Sequence, residues 1–88
     1  MRDFSKARKA IEIFDEKILE ILALRMDEVE VVGKYKIENN LPVKDHIREK
    51  DLLSRLEKKA SDLGLEKEMV RDVFSSIIRH SCKKQEQL

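Results

Sequence analysis

The sequence predicts an all-α protein of three helices per chain, one long and two shorter. Three observations carry that reading. The stretch from Phe4 to Asn39 holds no proline and a single glycine, Gly33, while apolar residues recur along it at helical spacing. The whole chain of 88 residues has only two glycines and one proline, with 42% charged and 5% aromatic residues, the composition of a helical bundle. The breaks fall at two points, around Pro42 and at Gly64, and so divide the chain into three segments.

The first helix is expected over about 4–39, with Asp3 or Ser5 as cap. Its apolar stripe reads Phe4, Ala7, Ile11, Phe14, Ile18, Ile21/Leu22, Val29, Val32 and Tyr35. At 1.5 Å per residue it measures roughly 50 Å. Pro42 pushes Leu41 out of helical geometry, which makes Leu41-Pro42-Val43 a connector. Asp45 is the better N-cap for a second helix over about 46–63, whose apolar side is Ile47, Leu52, Leu53, Leu56 and Ala60. Gly64 suits the end of that helix. A third helix is expected over about 66–85, with Met69, Val70, Val73, Phe74, Ile77 and Ile78 inward.

The two followers, at about 25 to 30 Å each, cover only part of the first helix's stripe. Monomers rarely leave so long an apolar patch exposed. A two-fold dimer, each long helix lying along its mate, is the simplest remedy. A plain antiparallel coiled coil accounts for the stripe equally well.

One chain of this size makes one domain, residues 1–88. A formal charge of +1 gives no overall bias toward nucleic acid or an anionic membrane. No apolar run approaches the roughly 18 residues that a membrane span needs. The start, MRDFSKARK, lacks the apolar core of a signal peptide, and the lone Cys82 excludes an internal disulfide. The expectation is a cytoplasmic protein. His46 and His80 read as surface or packing residues, and Cys82 has no evident activating base.

Cations interrupt the long stripe where a core would want aliphatics: Arg8, Arg25 and Lys36. Arg25 and Lys36 stand about three turns apart, on one face, with some 16 Å between them along the axis. Two long side chains leaning together there can hold opposite ends of a small molecule. Arg8 lies about 25 Å before Arg25 and is turned by roughly 100°, so it reaches a shared ligand only from a second chain. Asp45, Arg48 and Glu49 gather in the first turn of the second helix, where the helix dipole disfavours a cation. Ser81 and Gln85 form an i, i+4 pair continuing the ridge of Phe74, Ile77 and Ile78. Taken singly, each has a plain alternative. Arg8 and Arg25 can snorkel, Ser81 can be a small packing residue, Gln85 a surface residue, and Glu49 a partner for nearby lysines. Jointly, three helices turn polar at places that can meet in one cavity.

The ordered set resembles the all-helical chorismate mutase family. Helix 1 carries Arg8-(x6)-Asp15-Glu16-Lys17-Ile18-(x3)-Leu22-(x2)-Arg25 and then Val32-Gly33-Lys34-Tyr35-Lys36. The connector and second helix carry Pro42-Val43-(x)-Asp45 and Arg48-Glu49-Lys50, and the third helix carries Ser81-(x3)-Gln85. The resemblance implies an intertwined antiparallel dimer with two shared sites and the Claisen rearrangement of chorismate to prephenate, on the route to phenylalanine and tyrosine. It implies that Arg8 from the partner chain and Arg25 bind the enolpyruvyl carboxylate, and that Arg48 and Ser81 help hold the ring carboxylate. Lys36 and Gln85 would bond the ether oxygen, and Glu49, helped by the Asp45 region, would accept from the ring hydroxyl. Lys36, Gln85, Arg25 and Glu49 are thus the expected catalytic groups. A pericyclic step asks for no metal or cofactor, and the sequence shows neither a metal-spaced His/Cys cluster nor a nucleophile with its base.

Three other readings stand beside this one. An isochorismate-pyruvate lyase would use the same scaffold on a similar substrate. A non-catalytic helical dimerisation module would use the stripe only as a seam. The chain can also be one domain of a larger aromatic-pathway enzyme.

Overall fold

The computed structural model describes residues 3–88. Three helices account for nearly all of them: α1 (Phe4–Glu38), α2 (His46–Asp62) and α3 (Lys67–Glu86). Each boundary falls within a residue or so of the one expected, and local chemistry explains why. Asp3 caps α1 by accepting from the Ser5 amide at 3.2 Å, and Asp45 caps α2 by accepting from the Arg48 amide at 3.0 Å.

Both internal helix ends close in the same way. After α2, Gly64 takes a left-handed φ of 75°. The Leu65 amide then reaches back to the Ala60 carbonyl at 2.8 Å, and the Gly64 amide to Ser61 at 3.1 Å, the paired bonds of a Schellman ending. After α1, Asn40 takes the left-handed place (φ 54°), and Leu41 and Asn40 reach back to the Lys36 and Ile37 carbonyls at 2.8 and 3.3 Å. Asparagine tolerates that conformation better than most residues with a side chain. The ending matters for the site, because it folds the connector back over Lys36.

Helix α3 is the element on which both others pack; α1 and α2 do not approach each other. Ala60 and Val70 are buried between α2 and α3, near the tight turn that joins them. Leu52, Leu53, Leu56, Phe74, Ile77 and Ile78 are half-buried. Arg71 of α3 donates to Glu57 of α2 at 2.5 Å across this hairpin. Because α1 meets only α3, an open groove remains between α1 and α2 with α3 as its floor.

The molecule measures 56 × 24 × 15 Å, and its long dimension is the length of α1. Its radius of gyration is 16.2 Å. A compact domain of this length would have about 12 Å. Every residue from 11 to 20 is exposed, and Phe14 and Ile21 are 62% and 64% accessible. Among the described residues, nothing covers this part of α1. Three residues expected to point inward, Ile47, Met69 and Val73, are exposed as well. They lie on flanks that the other helices of the same chain do not reach. No helix among the described residues is long and apolar enough to cross a membrane.

Candidate functional site

Two of the most deeply buried side chains in the chain are polar. Ser81 and Gln85 are 8% and 7% accessible, against 9% for Val29 of the apolar core. Burying hydroxyl and amide groups is costly unless they are bonded. Here each is bonded, and the partners include two of the three cations that interrupt the α1 stripe, Arg25 and Lys36.

Arg25 Nη1 donates to Ser81 Oγ at 2.6 Å, while the Ser81 hydroxyl donates to the Ile77 carbonyl at 2.8 Å. Lys36 Nζ donates to Gln85 Oε1 at 3.2 Å and to the Val43 carbonyl at 2.7 Å. Gln85 Nε2 in turn donates to the Val29 carbonyl at 3.0 Å. Ser81 and Gln85 stand one turn apart on α3, and the long side chains of Arg25 and Lys36, about three turns apart on α1, converge on them across the α1–α3 contact. Each cation is pinned from the floor of the groove. An ammonium carries three N–H donors and a primary amide two. Among the described residues, Lys36 and Gln85 therefore keep one N–H each after their bonds are counted.

These groups line one cavity of about 280 Å³ between α1 and α2. Arg25, Lys36, Asp45, Arg48, Glu49, Ser81 and Gln85 all border it, together with Glu28, Cys82 and the apolar Val29, Val32, Val43, Leu52 and Ile78. The structure thus brings together every residue singled out in the sequence except Arg8. Arg8 sits on the exposed end of α1, its guanidinium 5.0 Å from the centre of the Phe4 ring. Asp45 reaches the cavity as the cap of α2, and Arg48 borders it from the first turn of that helix. That turn is a poor place for a cation electrostatically.

Some lining groups are invisible to residue-type reasoning. The Val43 carbonyl is a backbone acceptor, placed by the Asn40 turn. Glu28 carried a signal, since it stands one turn after Arg25 and so shares its face. Cys82 donates to Glu49 Oε1 at 3.5 Å, and burial, with the Glu49 carboxylate beside it, pushes the thiol's pKa up. A raised pKa means less thiolate at any given pH, and the thiolate is the reactive form. Alkylation of Cys82 by iodoacetamide at pH 7.5 should accordingly run well below the rate of the same thiol in denaturant. Equal rates, followed by mass spectrometry, would contradict the buried, Glu49-bonded thiol.

Fold and site together define a class: a small helical protein whose groove is lined by fixed cations and a buried amide. The family model described as chorismate mutase type II matches residues 7–86, and the chain belongs to that family. It is 37% identical over 81 residues to the bifunctional chorismate mutase/prephenate dehydratase of Escherichia coli (strain K12), covering 92% of this chain and 21% of that protein. A T-protein of Enterobacter agglomerans is 30% identical over 79 residues, 90% of this chain and 21% of its own length. The chorismate mutase of Methanocaldococcus jannaschii is 28% identical over 83 residues, 94% of this chain and 84% of its own. The chain thus spans about one fifth of the length of the first two of these relatives.

Proposed function

We propose that residues 1–88 form a chorismate mutase domain that converts chorismate to prephenate in the cytoplasm, acting as a homodimer with two shared sites. The observation that carries the reading is the Lys36–Gln85 pair, held by Val43 and Val29 with one N–H left on each partner. In a Claisen rearrangement the C–O bond breaks as the new C–C bond forms, and negative charge grows on the ether oxygen. Two prepositioned donors, one of them cationic, stabilise that charge without reorganising. Arg25, fixed by Ser81, supplies a planar fork for one substrate carboxylate, and Arg48 on the opposite wall serves the other. Glu49 accepts from the ring hydroxyl, at the side of the cavity where Asp45 lies. The groove holds a flexible dianion in a compact conformer, which removes much of the entropic barrier.

Charge balance supports a second chain. Arg25, Lys36 and Arg48 face three carboxylates in the same cavity, Glu28, Asp45 and Glu49, so one chain presents no formal excess of positive charge to a dianion. Arg8 of the partner subunit supplies that excess.

The test follows loss of chorismate absorbance with product identified by mass spectrometry. Prephenate formation is the expected result. Release of pyruvate, or no turnover by a folded dimer, would overturn the reading. A sharper expectation concerns Gln85→Glu. Beside the Lys36 ammonium the new carboxylate is ionised at neutral pH and offers no donor to the ether oxygen. Protonation returns one. The variant should be weakly active at pH 7.5 and gain activity as the pH falls toward the carboxylate range of about 4 to 5, while the wild type shows no such rise. A pH-independent Gln85→Glu rate would contradict the donor role.

A further inference from the structure

Gly33 stands in the middle of α1, where the chain gives up helix stability by not using alanine. Its backbone is ordinary for a helix, since Gly64 is the only glycine with a positive φ. Conformational freedom therefore does not explain it. Space does. A Cβ built at Gly33 would lie 2.9 Å from Gln85 Cγ, 3.4 Å from Gln85 Cβ and 2.6 Å from Leu88 Cδ1.

We propose that Gly33 is a positioning residue for Gln85: its missing side chain lets the Gln85 stem lie flat on α1 and bring its amide to Val29 and Lys36. The geometry is local and specific. In an α-helix the Val29 carbonyl already accepts from the Gly33 amide, one turn on. Gln85 Nε2 adds a second bond to that same carbonyl at 3.0 Å, passing over the bare Cα of Gly33. The same amide holds Lys36 through its oxygen at 3.2 Å. The two neighbours of an added methyl are not equivalent. Leu88 Cδ1 is the tip of a flexible side chain and can swing aside. Gln85 Cγ is two bonds from the backbone, so it moves only if the rotamer flips or the last turn of α3 retreats. Either movement takes the amide off Val29 and loosens Lys36, the other donor of the pair. Arg25, about two turns from Gly33 along α1, and Ser81, one turn from Gln85 along α3, keep their bond.

This inference rests on the mutase reading for its kinetic consequences but not for its structural one. Four variants test it: Gly33→Ala, Leu88→Ala, Gln85→Ala and the Gly33→Ala/Gln85→Ala double. Gly33→Ala should remain folded, with alanine's better helix propensity offsetting part of the cost of displacing Gln85. Its kcat for chorismate should fall about tenfold or more with KM changed less than about threefold, since the disturbed donor acts mainly in the transition state. Leu88→Ala should be fully active and should not rescue Gly33→Ala. On the Gln85→Ala background, Gly33→Ala should cost less than about twofold, the non-additivity expected when one residue acts through the other. Additive losses, rescue by Leu88→Ala, or a wild-type kcat in Gly33→Ala while Gln85→Ala is impaired would each overturn the positioning role. If wild type turned over no chorismate, the proposed function would fall and the side-chain amide NMR signals of Gln85 would still decide. They should shift on Gly33→Ala and stay put on Leu88→Ala. Unchanged Gln85 signals in Gly33→Ala would refute the proposal.

Discussion

Lys36→Ala should lower kcat by 100- to 1000-fold or more while leaving the protein folded. Removing one fixed donor from a developing oxyanion typically costs about 2.7 to 4 kcal/mol. Here the substitution removes a full charge rather than a neutral donor, and it also strips Gln85 Oε1 of the bond that orients the amide. Both donors of the pair are therefore damaged by one change. The fold has little stake in the ammonium. Among the described residues Lys36 joins no salt bridge, its bonds are to Val43 and Gln85 at the cavity edge, and the turn beneath it uses its carbonyl, which alanine keeps. Lys36→Arg should fail too, because a planar fork cannot occupy the place of a compact ammonium between two acceptors. Chorismate absorbance gives the rate and far-UV circular dichroism the fold. A well-folded Lys36→Ala protein with near-normal turnover would sink the electrostatic mechanism.

The sequence made this residue conspicuous because it broke a pattern. An apolar stripe at helical period has no use for Lys36, and the same logic exposed Arg8 and Arg25. Helix ends were legible for a related reason: Asp3, Asp45 and Gly64 do jobs that few residues do, and the structure gives each the place that its chemistry suits. What escaped has no side-chain signature. The acceptor at Val43 is backbone, and its position depends on a left-handed turn at Asn40 that folds the connector over Lys36. The Cys82–Glu49 bond depends on how α2 and α3 register. Ile47, Met69 and Val73 fit an inward pattern by period, yet they are exposed, because helical period tells which residues share a face but not which neighbour will cover it. Gly33 was visible as an isolated glycine inside a helix, a known mark of close approach, but only the three-dimensional distance to Gln85 says what approaches.

Arg8 is where the fold of one chain is least sufficient. The accessible surface is 7528 Å². A compact monomer of this mass would expose about 5,400 Å². The excess, roughly 2,100 Å² per chain, is on the scale of an obligate dimer interface rather than a transient one. Much of it lies on the amino-terminal half of α1, where Ile11, Phe14, Ile18 and Ile21 are exposed around the helix that carries Arg8. Covering that surface with a second α1, antiparallel to the first, brings the amino-terminal end of one helix toward the cavity of the other. Arg8→Ala should then lose activity about as severely as the removal of other charge-bonded anchors, 100-fold or more, although Arg8 touches nothing in its own cavity. Mixing makes the geometry testable. Combine inactive Arg8→Ala and inactive Lys36→Ala chains in equal amounts and allow subunits to exchange. Half of the dimers become hybrids, and in each hybrid one site holds Lys36 of one chain and Arg8 of the other. Activity should rise from near zero to about one quarter of the wild-type value per chain, because one site of two is intact in half of the molecules. If instead each site drew Arg8 from its own chain, every hybrid site would still lack one group. Exchange proven by mass spectrometry without recovery of turnover would refute the shared site.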